Sequence, residues 1–319
     1  MVRKTCTAAV GLLLVLLIGS PTSAGTVTTY ASPALDVDTV NTHLIAVPDG
    51  IVIFDAQRLN TEAKRVVRLV GDQKVVAIVV SHGHTDHYGG LPTLAEAFPD
   101  ASRIATATTT AGITEDNRGF NAMRRERHGE RFPTQDQLTA ARPTHAVTDG
   151  DRLELGGTEF DVATFGPGEA EDHLVLYRPD TGDLFVGDMI SNGVIPVPFE
   201  SLDGWLAQLD ELERRFPDAT TLHPGHGASG PASKLIGGVR GYLLQLRSLV
   251  ETALTEDNKL TADEIADIVF EMETSHPHRI GVAGFDRRTL LGIIAQRIAT
   301  QLGGTADSVD WNRRSVEQD

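Results

Sequence analysis

The chain has 319 residues, with 28 Lys and Arg against 44 Asp and Glu, and a formal charge of −16 at pH 7. Phosphate binding is driven by basic side chains, so this excess of acid argues against DNA, RNA or an anionic membrane surface as a partner. The lone cysteine, Cys6, excludes a disulfide within the chain.

The first 24 residues read as an export signal. Arg3 and Lys4 precede an apolar run from Ala8 to Ile18, and the small residues Thr22 and Ala24 place a cleavage point before Gly25. The run is shorter than the roughly 20 residues that span a bilayer, so no stable membrane anchor is expected after cleavage. The expectation is a secreted or otherwise extracytoplasmic protein. Cleavage would remove Cys6, two of the 28 basic residues and no acidic one, leaving a charge of −18.

Leu44 to Val47 and Ile51 to Phe54 predict two strands joined by the turn Pro48-Asp49-Gly50. Asn60 or Thr61 is positioned to cap a helix whose apolar residues Ala63, Val66, Val67 and Val70 share a face, and Gly71 stops it. "KVVAIVV", residues 74–80, is a continuous apolar run, the pattern of a strand buried on both faces. "LPTLAEAF" continues as a helix, "RIATA" as a short strand, and residues 111–142 as charged helical or loop structure. A strand-rich stretch follows: "RLELGGTEFDVATF", "HLVLYRP" and "DLFVGD". Helix 202–216, the strand "ATTLH" and the loop "PGHG" come next, and the last third predicts helices over 231–254, 261–272 and 287–302. Strands and helices alternate in two successive runs, which predicts an α/β domain of two packed sheets covered by helices. The expected organisation is a main domain at 25–230, a C-terminal helical part at 231–304 packed on it, and a mobile tail at 305–319.

Directly after the buried strand comes "SHGHTDHYGG", residues 81–90, with three of the chain's 11 histidines and an aspartate within six positions. His82 and His84, two apart on extended chain, point the same way. His84 and His87 are neighbours if a helical turn begins there. With Asp86 they form a nitrogen and oxygen donor set of the kind that binds zinc.

The HxHxDH pattern resembles the metal-binding signature of the metallo-β-lactamase superfamily. "LFVGD", ending in Asp188, and "HPGHG", carrying His226, resemble that family's later motifs in the same order, over about residues 40–230. The strand pair at 44–54 followed by Asp55 resembles its start. The resemblance implies an αββα sandwich and two metal ions. One would be held by His82 and His84, the other by Asp86, His87 and His226, with Asp188 bridging. It also implies that Asp86 orients the attacking water. A departure from the pattern falls 19 residues before Asp188, where the family's histidine is replaced by Glu169. Glu169 offers oxygen to the first ion, and His173, four residues on, is the alternative. The added carboxylate admits iron or manganese beside zinc.

Of the remaining candidates, His223 reads as structural, and Tyr88 as a pocket or core residue. "SHPHR" at 275–279 reads as a surface loop. His128 with Arg124, Arg125 and Arg127 reads as a solvated face. Phe120, Phe132 and Phe199 read as core or substrate wall. The expected function is an exported metal-dependent hydrolase of a small-molecule ester, lactone, thioester or amide. An iron-dependent redox enzyme, or a non-catalytic binding protein with an incomplete first site, are the alternatives.

Overall fold

The structure is a computed structural model that describes residues 25–32, 40–254, 258–282 and 285–308. The expected export signal and residues 309–319 of the expected tail lie outside the described residues.

The first sheet contains β1 (Val27–Ala31), β2 (Asn41–Val47), β3 (Gly50–Phe54), β4 (Val75–Val79), β5 (Ser102–Ala105) and β6 (His145–Ala146), in that order. β1, β2 and β3 are antiparallel neighbours, while β3, β4, β5 and β6 run parallel. The helices in this half are α1 (Asn60–Val70), α2 (Thr85–Tyr88), α3 (Leu91–Ala97), α4 (Ala107–Glu115), α5 (Phe120–His128) and α6 (Gln135–Ala141).

The second sheet is built from β7 (Arg152–Leu155), β8 (Thr158–Phe165), β9 (His173–Arg178), β10 (Asp183–Ser191), β11 (Thr221–His226) and β12 (Gly230–Pro231). Here β10 and β11 are the parallel pair. Helices α7 (Leu202–Arg215), α8 (Ala232–Ala253), α9 (Ala262–Ser275) and α10 (Arg287–Gln301) complete it. The short strands β13 (Lys259–Leu260) and β14 (Thr305–Ala306) pair with each other, so paired chain continues past the boundary expected at residue 304.

Alternating side chains sort these elements into layers, because successive residues of a strand face opposite sides. Ile45 and Val47 of β2 join Val52, Phe54 and Val79 against Phe160, Leu174 and Phe185, which closes the two sheets on each other. Leu44 and Ala46 of the same strand face the other way, with Ile53 and Ile78, onto Val66 of α1 and Leu91 and Leu94 of α3. On the far side, Val175, Leu184 and Val186 pack against Trp205 of α7, Leu243 of α8, Ile265 of α9 and Ile294 of α10. The result is a helix–sheet–sheet–helix sandwich whose outer layer on the second sheet is made by α7 and the C-terminal helices together. Trp205 is fully buried and its indole N–H donates to Met189 O at 3.0 Å, tying α7 to the end of β10.

Two local expectations are corrected. Helix α1 has Leu59 at its N-cap and no side-chain cap, because Leu59 is needed in the core and the Asn60 side chain is drawn to Thr93 and to Glu130 O. "PGHG" is not all loop: β11 runs through Pro224 and Gly225 to His226. Pro224 sits opposite Gly187, where the register with β10 shifts, so its missing N–H falls at an irregular point of the ladder.

Candidate metal centre

The topology delivers the site. β3 and β4 end side by side, carrying Asp55 and the 81–87 segment, and β10 and β11 run together to Asp188 and His226. β9 is antiparallel to β10, so its beginning, with Glu169 just before it, lies at this same edge. Two contacts join the sheets there: Leu174 N–H donates to Ser81 O at 2.7 Å, and Val40 bridges to His226. Strand ends in α/β folds are where ligands bind.

Glycines let the histidine segment settle. Helix α2 follows His84, and a Cβ on Gly89 would lie 2.1 Å from Arg58 O, one on Gly90 2.1 Å from Ala56 O. The chain after β3 therefore presses directly on the histidine loop.

Asp55 organises the segment from beneath. It is fully buried, at φ +66°, and accepts from Ser81 N at 2.8 Å, Ser81 Oγ at 2.9 Å and His87 Nδ1 at 2.7 Å. Because the Ser81 hydroxyl donates to Asp55, its oxygen accepts from His82 Nδ1 at 2.9 Å. One carboxylate thus sets the tautomer of both rings and turns both Nε2 lone pairs into the site, the usual arrangement behind a metal-binding histidine. Sequence reading gave Asp55 no such task.

All seven candidate ligands converge. His82, His84, Glu169 and Asp188 each bring one donor atom into a group in which all lie within 4.8 Å of one another, and Asp86, His87, Asp188 and His226 form a second such group. Asp188 belongs to both. In the first, Glu169 Oε1 is 3.2 Å from His84 Nδ1, and Glu169 Oε2 is 3.6 Å from His82 Nε2. His173 stands outside this group: it begins β9, and its Nε2 donates to Glu169 Oε2 at 3.1 Å. In the second, His226 Nε2 lies 3.2 Å from Asp188 Oδ2 and 3.4 Å from Asp86 Oδ2.

Charge is unbalanced here. Asp55, Asp86, Glu169 and Asp188 are all buried, and the cation among them that sequence reading missed is Arg58. Its guanidinium is 3.2 Å from Asp86 Oδ1 and donates to Thr85 Oγ1. Burial alone would raise the Asp86 pKa, but Arg58, then His87 and His226, hold it well below the carboxylate range. Burial likewise disfavours charge on His87 and His226, yet Asp188 and its fellow acids outweigh it. His87 is pushed well above the usual imidazole value, and His226 up to about 10.

A test of fit comes from two buried atoms. His87 Nε2 and Asp188 Oδ1 have no hydrogen-bond partner and face each other at 3.4 Å. With Nδ1 donating to Asp55, the neutral ring presents a lone pair to a carboxylate lone pair. Only a cation between them, or a proton, makes that contact favourable. Divalent ions fit this donor set.

With the site in view, its kinship is clear. The sequence profile described as the metallo-beta-lactamase superfamily matches residues 35–226. The chain belongs to that superfamily. Among relatives of this superfamily member, a hydroxyacylglutathione hydrolase of Thermosynechococcus vestitus is 32% identical over 151 residues, 47% of this chain and 48% of that protein. A metallo-beta-lactamase type 2 of Bacillus sp. strain 170 is 21% identical over 194 residues, 59% of this chain and 66% of that one. The chain therefore spans about half the length of the first of these. A solved metallo-beta-lactamase family protein from Thermus thermophilus shares the fold, with a TM-score of 0.58 and 18% identity over 87% of this chain and 93% of that one.

The remaining candidates divide. His223 stacks on Phe185 and bonds Asp183 and Ser229, which makes it structural. Tyr88 is a core residue, buried with its hydroxyl donating to Asn121 Oδ1 at 2.7 Å. Phe132 is core, while Phe120 and Phe199 line the cavity over the metal centre. His128 is buried on α5 rather than solvated, its pKa lowered to about 4 by burial and the surrounding arginines. In "SHPHR", Arg279 reaches inward and donates to Ser191 O at 3.1 Å and to Val194 O. No helix among the described residues is long and apolar enough to cross a membrane.

Proposed function

We propose that the protein is a dinuclear metal-dependent hydrolase that cleaves a small ester, lactone, thioester or amide. The observation that carries the reading is the unpartnered pair His87 Nε2 and Asp188 Oδ1, set among four buried carboxylates. His82, His84 and Glu169 would hold one ion, Asp86, His87 and His226 the other, and Asp188 would reach both. Zinc suits the donors, and Glu169 in place of nitrogen makes iron or manganese the alternatives. When bound, paired divalent ions make water nucleophilic near neutral pH and polarise a carbonyl oxygen.

The chain's own residues do the rest. Arg58 occupies Asp86 Oδ1, so Oδ2 is the atom turned to the site, where it would orient the attacking water. Asp55 holds His87 and, through Ser81, His82 in the tautomer that exposes Nε2. His173 orients Glu169. The relative named as a hydroxyacylglutathione hydrolase supports a thioester among the candidate substrates. Residues 1–24 support export, with amino-terminal sequencing of the mature protein expected to begin at Gly25.

Elemental analysis of the full-length protein and of Glu169→Ala, beside a panel of esters, lactones, thioesters and β-lactams, tests the reading. Two metals per chain falling to one, with turnover lost, is the expected result. One metal in both, with no turnover of any substrate, would overturn it.

A further inference from the structure

Resting on that hydrolase reading, we propose that the substrate carries an apolar hydrocarbon arm, which lies against Phe199, Phe285 and Met123. The cavity over the metal centre has a volume of about 240 Å³ and two unlike ends. Asp86, Glu169, Asp188 and His226 form its floor, and its wall is mostly hydrocarbon, with Arg124 the charged side chain beside Met123 and Phe120. Three large apolar residues from three separate segments are left open at that wall: Phe199 at 37% exposure, Met123 of α5 at 45% and Phe285, just before α10, at 45%. Leaving them in water forgoes their burial, and apolar surface gathered around a polar reaction centre marks a ligand groove. An occupant must present a reacting polar group to the floor and hydrocarbon to the wall.

The wall is built rather than incidental. Ile195 N–H donates to Ile280 O at 2.9 Å, and Ile280 N–H donates to Gly193 O at 3.0 Å. These bonds and the Arg279 contacts clamp the C-terminal segment onto the chain leaving β10. The Phe199 ring lies edge-on to His84, with centroids 4.9 Å apart, and Arg297 of α10 sits over it at 5.1 Å and donates to its carbonyl. The ring therefore spans from a candidate metal ligand to the C-terminal wall. Phe285 lies beyond residue 226, where the superfamily profile ends, so this part of the wall is not set by the family's shared core. A second cavity, of about 300 Å³, opens on the other side of His84 and Phe120. Thr108, Thr109 and Asn117 make it more polar than the cavity over the metal centre.

The test uses the metal-loaded full-length protein and two ester series. One lengthens the acyl part from acetyl to decanoyl on 4-nitrophenol, and the other lengthens the alcohol part of acetate esters over the same range. In at least one series kcat/KM should climb about three- to fourfold per added methylene over several carbons. Phe285→Ser and Phe199→Ser should cut the octanoyl-to-acetyl ratio about tenfold, and Phe285→Leu should restore it. Flat profiles in both series would overturn the apolar arm while leaving the hydrolase reading intact. Should no ester turn over, binding of the neutral fluorophore N-phenyl-1-naphthylamine decides the arm alone, and the wider substrate panel decides the hydrolase reading. Affinity at least fivefold weaker in Phe285→Asp upholds it, and equal affinity refutes it.

Discussion

Replacing Arg58 by leucine isolates the charge balance of the site. The guanidinium is 3% exposed, lies 3.2 Å from Asp86 and also donates to Thr85. Leucine fills part of the space but leaves the Asp86 carboxylate buried among Asp188, Asp55 and Glu169 without its fixed cation. Removing one partner of a buried ion pair costs about 3–5 kcal/mol, because the remaining charge stays desolvated. At about 2 °C per kcal/mol for a chain of this size, Tm of the chelator-treated protein should fall by about 6–10 °C. The sign reverses for metal. A carboxylate no longer held by arginine is a stronger donor, so divalent ions should recover most of that loss and raise Tm more in the variant than in the native protein. Scanning calorimetry with chelator and with zinc reads both numbers. A chelated Arg58→Leu protein as stable as native, or one that gains no more from zinc, would refute the reasoning.

Gly225→Ala places a Cβ 2.0 Å from Asp188 Oδ1 and 2.8 Å from the Gly187 carbonyl carbon, so Asp188 must move. Turnover should drop about a hundredfold or more, with weaker metal retention on dialysis. By contrast, Gly237→Ala at an exposed position of helix α8 meets nothing within 4 Å and should raise stability by about 0.5–1 kcal/mol in urea titrations without changing kcat. Asn41→Ala removes donors to Pro224 O and Gly227 O, which flank His226, and should cost about 1–3 kcal/mol, read from the same titrations. The His226 imidazole, raised to about 10 in the metal-free protein against about 6.5 unfolded, contributes stability that is complete below 6.5 and lost as pH rises through 10. Chelated protein should thus lose Tm between pH 6.5 and 10, while zinc-loaded protein should not; a flat chelated profile would contradict the assignment.

What could be read in advance divides by distance along the chain. β4 was legible because "KVVAIVV" has no polar alternation, and the histidine segment because its donors crowd into six positions. Asp188 and His226 carried no local signal strong enough alone, and the order of motifs supplied it. The end of β11 was misread because proline and glycine ordinarily punctuate strands. Pro224 falls at a register shift, and Gly225 is small because Asp188 occupies the space its side chain would need.

The tasks of Arg58 and Asp55 were illegible for a different reason. Each is an isolated charged residue in "FDAQRLN", with no spacing to mark it, and their partners lie 26 to 32 positions further on. Only the parallel pairing of β3 with β4 brings the two segments together. Yet a physical constraint was available. A chain that buries four acids at one point must place cations there, and Arg58 is one that the chain itself supplies. The arginine also divides the two oxygens of Asp86 between a fixed partner and the reaction centre. Asp86 can then face two imidazoles at Oδ2 and still be held in one orientation. A lysine there, with one point of charge and no fork, would hold Asp86 and Thr85 less firmly together. Arg58→Lys should therefore preserve more of the chelated protein's stability than Arg58→Leu, yet lower kcat. Equal kcat in Arg58→Lys and native protein would show that charge alone, and not the orientation of Asp86, is what Arg58 supplies.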